Sequence, residues 1–236
     1  MRKASLFVVA LGLSLSNCGN QESQVLTKFF MATKSKDNAT LTGLTLVGFP
    51  EEVVSSWKVT RVGPERREPY KFPDLVKNVA EVKRARDRQV DEFTNWRQGN
   101  VEELTIIEEK LKKNPAATFK GNTAQVHATW EKYRTERREL EARLNEAERQ
   151  LGGEQKLTGM SLLAPSDAKS LSGYAGEILT KEVVVSVKGK DGVDKPYLFT
   201  FQRYALTHRE TNRPAQARWI ITEIKPGDAA SAGGAS

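Results

Sequence analysis

Residues 126–151 read VHATWEKYRTERRELEARLNEAERQL. Val126, Trp130, Tyr133, Arg137, Leu140, Leu144, Ala147 and Leu151 fall at alternating steps of four and three, the seam of a helix packed along another helix. Between Glu131 and Arg149 stand six acids and six bases, so the outer faces are solvated and tied by ion pairs. Gly152-Gly153 follows and is expected to stop the helix.

The partner is expected upstream. Phe72-Pro73-Asp74 opens a helix, with proline in the first turn and an acid at the positive end of the dipole. Val79/Val82, Val90/Phe93 and Val101/Leu104 repeat every eleven residues, which predicts a nearly straight apolar stripe. The stripe stays in phase across Gly99-Asn100, so one continuous helix to Lys113 is expected. Asn114-Pro115 ends it, because the residue before proline avoids the α region. Gly121-Asn122-Thr123 supplies the turn and an N-cap. The pair forms a long antiparallel coiled-coil hairpin over residues 66–164, whose first helix runs about 60 Å.

If the second helix stops at Leu151, then Leu75, Val76, Val79 and Val82 project beyond it and need cover from a neighbouring sheet. The far end of the hairpin carries Trp96, Phe119, Lys120 and Trp130. Large aromatics of this kind are enriched in binding hot spots. Two readings follow: these residues dock a protein partner, or Trp96 and Trp130 cover each other across the hairpin.

The flanks read as two parts of one small α+β domain. Residues 24–34 form an amphipathic helix with Val25, Leu26, Phe29, Phe30 and Ala32 on one side. Asn38 or Thr40 caps a second short helix. Trp57 to Val62 alternates as a half-buried strand closed by Gly63-Pro64. After the hairpin, Ser166-Asp167 caps a single helical turn. Strands follow at 180–188 and 197–206 around an Asp191-Gly192 turn, then at 218–224. Residues 227–236 form a disordered, low-complexity tail.

The order helix, helix, strand and then three antiparallel strands resembles the NTF2-like (cystatin-like) fold. The likeness rests on Val25-Leu26-Thr27-Lys28-Phe29-Phe30-Met31-Ala32, Lys36-Asp37, Leu41-Thr42-Gly43-Leu44 and Arg218-Trp219-Ile220-Ile221-Thr222-Glu223-Ile224. It implies a small antiparallel sheet packed with the N-terminal helices, in two parts (24–65 and 165–226), with the hairpin inserted between them. Some members of that fold place an acid and tyrosines inside a cone of sheet and helices. The resemblance carries that role onto Tyr197, Tyr204 and Glu223.

Arg2 and Lys3 precede an apolar run of 13 residues, Ala4 to Ser16. That is too short to span a bilayer, which takes about 20 residues, and fits a signal-peptide core over residues 1–17. It ends Leu15-Ser16-Asn17-Cys18-Gly19, which resembles the lipobox of bacterial lipoproteins; Asn17 departs from the usual Gly or Ala. The resemblance implies lipidation at Cys18, a lipidated linker over 18–23, and attachment to an outer membrane or the periplasmic face of an inner one. Cys18 is the only cysteine, so no disulfide framework exists, and a lone thiol in an exported chain needs another purpose.

The net charge is +7. Bases gather near the hairpin root at Arg61, Arg66, Arg67, Lys71, Lys83, Arg84, Arg86 and Arg88. Behind an export signal this excess reads as a solvated helix face and not as a nucleic-acid site. His127 and His208 are the only histidines, no Cys or His pair has metal-ligand spacing, and no phosphate-loop or nucleophile-elbow motif occurs. No metal, cofactor or catalytic residue is expected. The expected function is a non-catalytic, lipid-anchored cell-envelope protein that scaffolds a partner through its coiled-coil arm; the alternative is a small-ligand-binding or enzymatic pocket protein.

Overall fold

The computed structural model describes residues 21–50, 54–163 and 167–227. The expected signal peptide over 1–17, the lipidation at Cys18 and, apart from Gly227, the expected tail over 227–236 lie outside the described residues. The protein is α+β. Among the described residues, six helices accompany a five-stranded open antiparallel sheet in which β1 (Ser56–Val62), β3 (Tyr174–Lys188), β4 (Asp194–His208) and β5 (Ile220–Pro226) lie in that order, with β2 (Arg66–Pro69) also paired to β3. The chain divides into two compact units, one of Met1–Pro64, Lys181–Phe201 and Trp219–Ser236, the other of Glu65–Thr180 and Gln202–Arg218. Strands β3 (Tyr174–Lys188) and β4 (Asp194–His208) contribute one half to each.

In the first unit, α1 (Gln21–Ser35) buries Leu26, Phe29, Phe30 and Ala32. Helix α2 (Asn38–Leu44) is capped by Asp37, whose carboxylate accepts from the Thr40 N–H; Asn38 and Thr40 lie inside the helix. Strand β1 (Ser56–Val62) runs antiparallel to the far half of β3, with a bulge between Val59 and Arg61. Val183, Val185 and Val187 are fully buried, as their alternation requires. The core is aromatic. Phe29, Phe30, Phe49, Tyr197 and Phe199 meet mostly edge to face, and Trp57 stacks on Phe30 with ring centres 5.2 Å apart. Strand β5 (Ile220–Pro226) closes the unit. Buried Glu22 forms an ion pair with Lys181 at 2.7 Å, and the Lys181 ammonium sits 5.0 Å above the Trp219 ring.

The second unit holds the long helices. Helix α3 spans Phe72–Gln98, α4 Val101–Lys113 and α5 Gly121–Leu162. Val79 and Val82 meet Leu144 and Ala147, while Leu104 and Ile107 meet Val126, so α5 runs back along the other two. Four expectations are corrected here. First, the upstream helix is not continuous. The Asn100 side chain donates to the Trp96 carbonyl at 2.8 Å, and the Asn100 N–H bonds back only three residues, to Arg97. A local side-chain bond of this kind competes with the helical ladder, and Gly99 adds backbone freedom.

Second, the eleven-residue stripe misplaces its middle. Val90 and Val101 are exposed, and Gln89 is buried instead. The contacting positions 79, 82, 89, 93 and 96 follow a seven-residue repeat, with polar Gln89 in the seam. Third, Gly152-Gly153 does not end α5. The seam continues in phase as Leu151, Glu154, Thr158 and Ser161, and the burial of Leu162 and Thr158 outweighs the weak helix propensity of two glycines. Fourth, Val79 and Val82 need no cover from the sheet, because they meet Leu144 and Ala147, which lie before Leu151; Val76 does pack on the cluster that holds Ile178, Tyr204 and Leu206 of the strands.

The rest of this unit's core is Tyr70, Phe72, Leu162, Leu171, Ile178, Tyr204 and Leu206. Polar β2 (Arg66–Pro69) pairs with the near half of β3, which begins six residues before the predicted start at 180. Gly176 has φ +145°, and a Cβ there would lie 2.2 Å from the Ala205 carbonyl oxygen, so only glycine fits. The short α6 (Ala168–Ser172) is capped by Asp167, as its sequence predicts.

Candidate functional site

The far end of the helical pair is built on Leu104, Ile107 and Val126, all buried. Trp96, Leu111, Phe119 and Trp130 pack half-buried around them, so three of the residues singled out from sequence share one cluster. Lys120 is exposed and precedes the first turn of α5. The Phe119 ring lies 4.6 Å from the His127 ring, with the Lys110 ammonium 5.8 Å above it. Asn122 donates to the Glu103 carboxylate at 2.6 Å and closes the end of the pair. From Lys110 to Lys120 the chain carries Lys110, Lys112, Lys113 and Lys120 and no acid. All four are exposed. The result is a half-buried aromatic ring with one ammonium group above it, in a stretch of exposed lysines without an acid.

One face further down, Gln89, Phe93, Trp130, Tyr133, Arg134 and Arg137 line a groove of about 200 Å³. Trp96 and Phe93 pack on Tyr133 at 5.3 and 5.5 Å, and the Arg134 guanidinium stacks 5.0 Å over Trp130. Gln89 donates to the Tyr133 carbonyl at 3.0 Å, and its Oε1 is buried without a partner. Arg134 and Arg137 are held by Glu131 and Glu141 at 2.7 and 2.9 Å.

The three residues carried over as a pocket are divided between the two units. Tyr197 belongs to the first unit, in contact with Phe49. Tyr204 belongs to the second, with its ring against Tyr70. Glu223 pairs with Lys225 at 2.8 Å and keeps about half of its side chain in water, so it is not a buried base.

Sequence reasoning missed a different carboxylate. Glu154 of α5 lies with Tyr70, Thr158 and Tyr204 in the second unit, and its Oε1 is buried. Burial pushes its carboxyl above the usual range; the Tyr204 hydroxyl and the Lys71 charge pull the other way. Burial also pushes the Tyr70 hydroxyl up to about 12 and raises that of Tyr204 further, with the Glu154 charge adding to both. The Tyr204 hydroxyl faces Glu154 and Thr158, yet neither tyrosine hydroxyl nor Glu154 Oε1 closes a well-aligned hydrogen bond among the described residues. The signal was available: Glu154 continues the seam of Leu144, Ala147 and Leu151 by steps of three and four.

Among the described residues no group of three His, Cys, Asp or Glu side chains is placed to hold a metal ion, and no helix is long and apolar enough to cross a membrane. No family model matches the chain, and comparison with curated proteins and with solved structures gives no match.

Proposed function

We propose that this is a non-catalytic, lipid-anchored cell-envelope protein whose helical pair is a coiled-coil arm that docks a protein partner through its tip. The observation that carries the reading is the tip itself: half-buried Phe119 with the Lys110 ammonium 5.8 Å above its ring, in a stretch from 110 to 120 that also carries exposed Lys112, Lys113 and Lys120 and no acid. An aromatic anchor with a cationic rim fits a partner surface that offers an apolar pocket edged by carboxylates. The length of α5, 42 residues or about 63 Å, exceeds what its own unit's core uses and holds the tip far from the arm's root.

In this reading the sheet and the N-terminal helices form an NTF2-like domain that carries the arm, and Cys18 bears the lipid. Several acyl chains on one cysteine anchor a protein stably where a single chain is marginal. Two measurements test the proposal separately. Cys18→Ser shifts the protein from the membrane to the soluble fraction; a wild type already soluble refutes the anchor. Phe119→Ala with Lys120→Glu lowers the size of the detergent-solubilised native complex while thermal melting stays the same; an unchanged complex refutes docking by the tip.

A further inference from the structure

We propose that the root of the helical pair is a proton-controlled hinge: with Glu154 protonated, residues 154–162 of α5 stay packed in the core of the second unit, and with Glu154 ionised they open at Gly152–Gly153. This goes beyond the docking proposal and stands whether or not the tip binds anything.

The place for the hinge is set by two glycines. Gly152 and Gly153 lie inside α5 with nothing within 4 Å of where a Cβ would be, so no packing restrains them. Glycine is the weakest helix former short of proline, and two in succession make the easiest point of opening along α5. Glu154 comes immediately after them.

The latch is the cluster that Glu154 enters. Its Oε1 is buried and unpartnered, as are the hydroxyls of Tyr70, which follows β2, and Tyr204 on β4. The Thr158 hydroxyl spends its proton on the Glu154 carbonyl at 2.8 Å. The remaining titratable neighbours are Lys71, at the N-cap of α3, and Tyr174 on β3, which faces Tyr70. Lys71 is bonded to Glu68 at 2.5 Å and is more than half exposed. Tyr70 and Tyr204 themselves belong to an apolar cluster with Phe72, Leu171 and Leu206. A protonated carboxyl can sit in such a place as a hydrogen-bond donor. A carboxylate there loses its hydration without a full set of donors in return. Burial accordingly holds Glu154 above its usual range.

The closed state therefore binds the proton more tightly than the open one. It is fully favoured at pH below the ordinary carboxyl value of 4.5, and the preference is lost as pH rises from there through the raised value. Opposing the opening are Ser161, which accepts from the Tyr204 N–H and donates to the Arg218 carbonyl, and buried Leu162. The hinge thus works against a definite latch.

Amide exchange of the full chain, read by mass spectrometry from about pH 4 to about pH 8 and corrected for the intrinsic rate, tests this. Protection of residues 154–162 relative to residues 126–147 is expected to fall as pH rises, because the closed state binds the Glu154 proton more tightly than the open one. Glu154→Gln, which keeps the shape and removes the charge, makes the ratio independent of pH. Gly152→Ala with Gly153→Ala raises protection of 154–162 at every pH. A wild-type ratio that does not change with pH overturns the proposal, and so does a Gln variant that retains the wild-type pH dependence.

Discussion

Gln89 on α3 donates its side-chain amide to the backbone carbonyl of Tyr133 on α5, 3.0 Å away, while its own carbonyl oxygen is buried with no partner. This polar contact crosses the seam near the middle of the pair. A buried polar residue in such a seam costs stability and in return favours one register over its neighbours.

Gln89→Leu removes the orphaned oxygen and the register bond together. The variant is expected to match or exceed the wild type in urea denaturation, by up to about 1 kcal/mol, because an unmet buried acceptor costs about as much as the bond contributes. Loss of several kcal/mol would show that the amide bond matters more than the unpaired oxygen.

Ser161 ties three segments of the second unit. Its hydroxyl accepts from the Tyr204 N–H at 3.1 Å and donates to the Arg218 carbonyl at 2.8 Å, and the residue is wholly buried. Ser161→Ala leaves a donor and an acceptor unmet, at about 1–3 kcal/mol each. Chemical denaturation should show a loss of about 2–4 kcal/mol, and a loss below about 0.5 kcal/mol would mean that water replaces the hydroxyl.

Asp167 shows the opposite pH sign from Glu154. Its carboxylate accepts from the Ser170 hydroxyl and N–H, which hold its carboxyl below the usual value of 3.8. The cap therefore stabilises α6 above that value and is lost as pH falls through the lowered one. Amide exchange at Ser170 should accelerate in acid in the wild type and be fast at all pH in Asp167→Ala. Equal exchange in the two would remove the cap from the account.

Much of the architecture was legible because apolar residues announce it. Phe29 and Phe30 mark α1, Val183, Val185 and Val187 mark β3, and Val126, Leu144 and Ala147 mark the seam of α5. What stayed hidden was polar residues doing structural work. Arg66–Pro69 has no strand pattern and pairs with β3 through its backbone alone. Gln89 and Glu154 occupy seam positions that a search for apolar side chains passes over, and Val90 and Val101 imitate a stripe that solvent in fact covers. Gly152-Gly153 has poor propensity, yet Leu157, Ser161 and Leu162 beyond it have tertiary partners that carry the helix through. At the candidate site the aromatics were legible by type, and their gathering around Leu104, Ile107 and Val126 follows from the fold.

Site-specific photo-cross-linking in living cells tests the docking arm most directly. A photoreactive phenylalanine analogue replaces Phe119 at the tip or, as a control, Arg138 on the exposed face of α5. The account predicts one dominant protein adduct from position 119, lost when Lys112, Lys113 and Lys120 are changed to Glu in a chain that still melts as the wild type does, and no such adduct from position 138. The same adducts from both positions, or a 119 adduct indifferent to the three charge reversals, would contradict it.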